Sequence, residues 1–325
     1  MADRPTLACL GSSDIVERAV LVPNAAFGAP FEIGICARNF MRRKDLCDRF
    51  SAADLGGDLP DESAYENFDA VYIALPNPMH AKIAVAAAAG CRHVFVEKPA
   101  CVDERDIARL SGATRDGGQI GEALMTAAAP WTARIAALVA GNEAGALQRV
   151  RTRIHLKLSA DRRRALPDIA QGGGACFDLA PYWAQLVELL GLMPDAEQRL
   201  EAAAEFEDRR DIRSRIQYSL GGIVIDASFS HDNDYVAEHQ LVFADRRVVV
   251  KDFLRSRLGT FPVRVERVYN SGETFVERTG GHCSYYAAQL RRMLATVIDG
   301  RPFDPGMIGR ARLVTMAGRS VAACL

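Results

Sequence analysis

The sequence predicts an α/β domain followed by an α+β domain. A Rossmann-type parallel sheet is expected over residues 1–124. Residues 125–325 are expected to form a substrate and oligomerisation domain, built on a large, mostly antiparallel open sheet covered by helices on one face. Three observations predict this. The first 125 residues alternate short apolar runs with amphipathic stretches, the pattern of βαβ units. From about residue 146 the apolar period becomes two. At 325 residues and 35.4 kDa, the chain also exceeds what one hydrophobic core usually supports.

In the first part, Leu7 to Leu10 reads as a buried strand, Ile15 to Leu21 as a helix and Phe31 to Ala37 as a second strand. A polar helix follows over 41–50. Asp69 to Leu75 is a strongly apolar strand, and 80–89 is a helix that Gly90 is expected to stop as a C-cap. His93 to Val96 is the next strand and runs directly into Glu97-Lys98-Pro99.

In the second part, Val150, Ile154, Leu156 and Leu158, with Thr152 between, alternate with Arg149, Arg151, Arg153, His155 and Lys157. One face of that strand is apolar and the other meets solvent, acidic neighbours or a second subunit. Further strands are expected at 212–220, 222–230, 239–244, 246–253, 262–269 and 274–278, with turns at Gly221-Gly222 and Asp245-Arg246. Helices are expected near 130–140, 175–191, 284–298 and 305–322. The exposed sheet face makes a homodimer or homotetramer the expected state.

Forty basic residues against 41 acidic ones, with a pI near 6.6, create no global field toward nucleic acid or an anionic membrane. The opening residues Met1 to Pro5 lack a long apolar core and no run of 18 uncharged apolar residues occurs, so a cytoplasmic protein is expected. The eight cysteines are scattered without a CxxC pair and read as buried free thiols. The six histidines show no metal-binding spacing, so no metal is expected.

The first βα turn reads Leu10-Gly11-Ser12-Ser13-Asp14-Ile15-Val16, where a dinucleotide fold ideally places G-x-G-x-x-G/A. Only Gly11 is present; Ser13 and Val16 replace the other small residues. Alone, this is as compatible with an ordinary strand-to-helix turn, although serine hydroxyls and amides at a helix N-terminus can still bind phosphate. After the second strand stands Ala37-Arg38-Asn39 in place of the acidic residue that binds a ribose 2′-hydroxyl. A guanidinium there suits a 2′-phosphate, with Arg42 or Arg43 as a second donor, so NADP(H) is preferred and NAD(H) remains an alternative. Arg38 reads equally as a solvated loop residue.

A sharper signal is DAVYIALPNPMH followed by HVFVEKP. Leu75, Pro76, Asn77 and His80 fall where a strand reaches the carboxyl edge of a parallel sheet, and the next strand delivers Glu97 and Lys98 to that edge. Pro99 blocks extension of the strand and is compatible with a cis bond. Lys98 is one of five lysines in an arginine-dominated chain, and its plain reading is a surface residue at a strand end. His80 is alternatively a helix cap, and Asn77 a turn residue.

Together, Pro76-Asn77-x-x-His80, Glu97-Lys98-Pro99 and Gly172-Gly173-Gly174-Ala175-x-x-Asp178-Leu179-x-x-Tyr182 resemble the glucose-fructose oxidoreductase, inositol dehydrogenase and rhizopine-catabolism (Gfo/Idh/MocA) family, in order across nearly the whole chain. The 11–15 turn, with Phe229 to Tyr235 and Glu238 to Phe243, is most similar to the branch that reduces nucleotide-linked 3-keto sugars. The resemblance implies an NADP(H)-dependent oxidoreductase acting on a ketone of a sugar or sugar nucleotide. It implies Lys98 between nicotinamide ribose and substrate, Tyr182 as proton donor and Asp178 beside it. Cofactor contacts are implied for Gly11, Ser12, Ser13, Asp14, Ile15, Arg38, Arg42, Leu75, Pro76, Asn77, His80, Glu97 and Lys98.

The chemistry supports that arrangement. Hydride arriving at a carbonyl carbon builds charge on oxygen, which a positioned acid must neutralise. A phenol with pKa about 10 is a weak acid, but an ammonium about 4 Å away interacts with the tyrosinate by roughly 4 kcal/mol at an effective dielectric of about 20, before desolvation. Asp178 lies four residues before Tyr182, hence on the same helix face. Asp178 alternatively caps a helix with Pro181 in its first turn, and Tyr182 beside Trp183 alternatively packs in a core. Thr126-Ala127-Ala128-Ala129-Pro130 departs from the bulkier family stretch before the second domain and implies a roomier pocket. Two other functions fit the same residues: a non-redox member that retains its cofactor, such as an epimerase, eliminase or cyclase, and a catalytically silent NADPH-binding regulator.

Overall fold

The computed structural model describes residues 4–114, 117–140, 146–257 and 259–325; Met1 to Asp3, at the head of the opening segment read above, lie outside them. The chain divides into two compact units, Met1–Met125 with Tyr286–Ile308, and Thr126–Tyr285 with Gly309–Leu325.

The first unit holds a six-stranded sheet of β1 (Thr6–Leu10), β2 (Glu32–Cys36), β3 (Ala53–Asp54), β4 (Ala70–Ile73), β5 (His93–Glu97) and β6 (Gln119–Ala123). Its order is β3-β2-β1-β4-β5-β6 and every pair is parallel. Strand order reverses between β1 and β4, the place where such sheets open a crevice at their carboxyl ends. The central strands are largely apolar because helices cover both faces of a parallel sheet; Leu7, Cys9, Val71, Ile73, Val94 and Phe95 are wholly buried. Residues 14–26 form one continuous helical segment with a π turn at Glu17–Leu21.

Gly90 is the last residue of the His80–Gly90 helix and not its C-cap, which is Cys91. The glycine is needed there because a Cβ would sit 2.5 Å from the Glu62 carbonyl oxygen. Residues 286–308, read from sequence with the second domain, belong to the first unit. The Phe303 ring stacks edge-on to Phe95 with centroids 4.6 Å apart, and Glu122 on β6 donates its amide to Asp304 at 2.9 Å.

The second unit is built on eight strands: β7 (Leu147–His155), β8 (Glu201–Glu207), β9 (Arg210–Leu220), β10 (Ile223–Ser230), β11 (Val236–Phe243), β12 (Arg246–Lys251), β13 (Pro262–Tyr269) and β14 (Thr274–Gly280). Their order is β14-β13-β12-β11-β7-β10-β9-β8, antiparallel except for β7 with β10. Gly221 and Gly222, at φ 57° and 81°, make the two-residue turn between β9 and β10. The β11–β12 turn is Ala244-Asp245, one residue earlier than expected.

The inner face of this sheet presents Val150, Ile154, Ile216, Ile225 and Phe229 to the Gly174–Leu189 helix, whose Trp183 packs edge-on against Tyr218 and Phe229. Removing an indole from such a site costs about 3–5 kcal/mol. The cationic row of β7 is answered by acidic and polar neighbours: Arg149 and Arg151 bond Asp226, Arg153 bonds Glu238, His155 meets Ser228 and Lys157 pairs with Asp234. Among the described residues, no helix is long and apolar enough to cross a membrane.

Candidate active site

At the carboxyl edge of the parallel sheet, β1 passes into Gly11, whose φ of +117° and contact with β4 exclude any other residue: a Cβ would lie 2.4 Å from the Ala74 carbonyl oxygen. The backbone is therefore open to close approach at this turn. Ser13 stands at the N-cap of the following helix without capping it by its side chain, and Ser12 to Ile15 are all at least partly exposed. Val16 is fully buried, so the position that ideally holds a small residue packs into the core with its full side chain.

The three arginines after β2 part company. Arg38 is exposed, and among the described residues no carboxylate pairs with it. Arg42 is held by Glu17 at 2.6 Å, Asp45 at 3.1 Å and Asp14 at 3.5 Å. Arg43 is buried, pairs with Asp54 at 2.6 Å and donates to the Ala37 carbonyl. The Arg42 and Arg49 guanidiniums hold the Glu17 carboxyl below the usual carboxylate range, with Arg49 the stronger influence.

Leu75, Pro76 and Asn77 leave the end of β4 partly or fully exposed, while His80 turns inward and is 1% exposed. Its Nδ1 lies 2.8 Å from the Pro99 carbonyl oxygen and its Nε2 2.7 Å from that of Leu75, so the imidazole ties the β4 loop to the β5 loop. It does not cap the helix it begins. Burial lowers its pKa more than these two carbonyls raise it.

Glu97 is also buried. It accepts the Tyr72 hydroxyl, and desolvation pushes its carboxyl up to about 7. Lys98, half-buried, follows at the very end of the strand, and the Lys98–Pro99 bond is cis. Glu122 on β6 accepts the Ala100 amide at 2.9 Å, fixing the next residue. Gly11, Ser12, Ser13, Arg38, Leu75, Pro76, Asn77 and Lys98 thus belong to loops on one sheet edge, with Asp14 and Ile15 opening the helix after the first loop and His80 and Glu97 buried beside the loops.

In the second unit, the Gly174–Leu189 helix begins earlier than the capping alternative required. Asp178 is its fifth residue and Pro181 its eighth, so Asp178 does not cap it. Instead Asp178 meets His231, with Oδ2 3.1 Å from the imidazole Nε2. Tyr182, one turn later, is 6% exposed, and Trp183 takes the core position beside it. The helix N-terminus is served by Asp211 of β9, whose Oδ2 accepts the Cys176 amide at 2.8 Å. The close approach explains Gly174, at φ +86°, where a Cβ would lie 1.9 Å from Asp211 Oδ1. Burial pushes the Asp211 carboxyl up to about 6. The sequence alone gives Asp211 and His231 no role: Asp211 lies in no motif, His231 falls within the Phe229 to Tyr235 stretch without being singled out, and only their positions, near a strand start and just after a strand, hint at them.

Residues 27–121 match the GFO_IDH_MocA family, described as "Oxidoreductase family, NAD-binding Rossmann fold". Residues 27–121 are therefore similar to the NAD-binding Rossmann part of that oxidoreductase family. The chain is 34% identical over 179 residues to an uncharacterized oxidoreductase, ORF334, of Rhizobium meliloti, covering 54% of this chain and 49% of that protein. It is 28% identical over 273 residues to D-xylose 1-dehydrogenase (NADP(+)) 2 of Haloferax volcanii, covering 75% and 82%. The matched stretch therefore spans about half of one relative and most of the other. In structure the chain resembles KijD10, a 3-ketoreductase from Actinomadura kijaniata solved with TDP-benzene and NADP, with a TM-score of 0.80, 20% identity and coverage of 98% and 97%. At that identity the likeness is one of fold, and it extends over both units of the chain.

Proposed function

We propose that the protein is an NADP(H)-dependent oxidoreductase that reduces a ketone on a sugar or sugar nucleotide. The observation that carries this reading is the pairing of Asp178 and Tyr182 one turn apart on a buried helix, with Asp178 braced from behind by His231. The names of the xylose dehydrogenase and the 3-ketoreductase support the substrate class and the cofactor.

The residues present fit a dinucleotide: Gly11 lets backbone approach closely at the crevice, and Arg38 offers an uncommitted guanidinium where a 2′-phosphate would lie. Ser12, Ser13 and the loop at Leu75 to Asn77 would line the remainder, with His80 and Glu97 holding those loops in place. Bound NADPH would supply the hydride. Tyr182 gives its hydroxyl proton to the carbonyl oxygen as the C=O π bond breaks, and an O–H bond replaces it. Lys98 makes that transfer less costly by stabilising the tyrosinate left behind. Asp178 orients the substrate hydroxyl or carbonyl.

The test is turnover of a panel of ketoses and nucleotide-linked ketosugars, followed at 340 nm, for the wild-type protein and Tyr182→Phe. Most turnover is expected to vanish in the variant while NADPH affinity stays nearly unchanged. Full activity in Tyr182→Phe, or no turnover of any panel member by the wild type, rejects the reading.

A further inference from the structure

The chain beyond β10 carries the unread histidine. His231 is 1% exposed, and its backbone is locked on both sides: its amide donates to the Ile212 carbonyl at 2.9 Å and its carbonyl accepts the Leu158 amide at 2.8 Å. The residues around it are fixed as well. Ser230 Oγ accepts the amides of Asp232 and Asn233 at 3.2 and 3.0 Å, and Asp232 takes a two-pronged ion pair from Arg213 at 2.8 and 2.7 Å. A side chain rooted in so constrained a backbone has little freedom except about its own χ angles. Its Nε2 is aimed at Asp178 Oδ2, 3.1 Å away, and Asp178 is the partner with a solvent-facing side, its side chain 36% exposed. A carboxylate oxygen can only accept, so Nε2 carries the hydrogen of this bond.

We infer that His231 is a positioning residue: it donates through Nε2 to one oxygen of Asp178 and so fixes the direction in which the other oxygen meets substrate, one helical turn from Tyr182. The inference deepens the proposed function and rests on it for the role of Asp178. Holding one carboxylate oxygen from the protein side leaves the rotation of the group determined, which is how a supporting shell sharpens a polar site.

The experiment has two arms. In the first, NMR of 15N-histidine-labelled protein reads the ring of His231, assigned through His231→Gln. The Nε2–H form is expected in the wild type, with a nitrogen shift that moves in Asp178→Asn and stays in Tyr182→Phe. In the second, His231→Leu and His231→Gln are compared on whichever panel substrate the wild type turns over. His231→Leu is expected to lose about 10-fold or more in kcat/KM, as for one hydrogen bond to a charged group, with NADPH affinity unchanged. His231→Gln, which presents an amide nitrogen at similar reach, is expected to recover most of the loss. Adding Asp178→Asn to His231→Leu should cost little beyond Asp178→Asn alone.

A proton on Nδ1 in place of Nε2, wild-type kcat/KM in His231→Leu, or equal losses in the leucine and glutamine variants overturns the inference. Each of these leaves the functional reading intact if Tyr182→Phe is inactive. An active Tyr182→Phe sinks that reading, and the NMR arm still decides whether His231 holds Asp178.

Discussion

Asp211 accepts the backbone amide of Cys176 at 2.8 Å, so a strand residue 35 positions further along the chain caps the helix that bears Asp178 and Tyr182. Cap and helix are both buried, and no water can replace the carboxylate. Asp211→Ala is expected to lower stability by about 1–2 kcal/mol, as for loss of an N-cap acceptor, measured by urea unfolding. An unchanged midpoint would show that the helix end finds another acceptor.

Burial pushes the Glu97 carboxyl up to about 7 from an ordinary 4.5, and this sets the sign of a pH effect. The folded protein holds this proton where the unfolded chain has released it. Its stabilising contribution is complete below about pH 4.5 and is lost as pH rises through about 7. Glu97→Gln keeps an acceptor for Tyr72 and abolishes the titration. The variant should therefore gain on the wild type by on the order of 3 kcal/mol between pH 4.5 and 8. Denaturation curves whose separation does not change with pH would contradict this.

The arginines after β2 make a contrast that calorimetry can read. Arg38→Ala is expected to weaken NADPH binding by about 10-fold or more, as for a charge-assisted bond, and to leave NADH binding nearly unchanged. Arg42→Ala should weaken NADPH binding less, because its guanidinium is already shared among Glu17, Asp45 and Asp14. Equal effects of the two substitutions would show that Arg42 leaves its carboxylates on binding.

Local pattern made the parallel sheet and most of the second sheet legible, because strands buried on both faces are continuously apolar and strands open on one face alternate. It missed β8, Glu201–Glu207, whose run EAAAEFE has the alanine and glutamate of a helix; only pairing with β9 makes it a strand. Gly90 read as a stop because a glycine after an alanine run usually is one, and the Glu62 carbonyl that requires it lies in another element. The same holds at the candidate site. Asp178 and Tyr182 are spaced by a helix turn and could be paired from sequence, whereas His231 reaches Asp178 across 53 positions and Asp211 reaches Cys176, at the start of the same helix, across 35. Nothing in the order of residues records that folding, and Asp14 and Glu17, two of the carboxylates around Arg42, were hidden for the same reason.

The return of residues 286–308 to the first unit bears on synthesis. Strand β6 lies at the sheet edge, and its Glu122 amide is taken by Asp304, 182 positions later, while the Phe303 ring fills the room that Gly121 leaves. A nascent chain that has just released Ala123 from the ribosome has made every strand of that sheet and still lacks its edge cover. The nucleotide-fold unit must wait, exposed at one margin, until residues 303 and 304 have emerged, and a gene fragment ending at Met125 would encode that waiting state permanently.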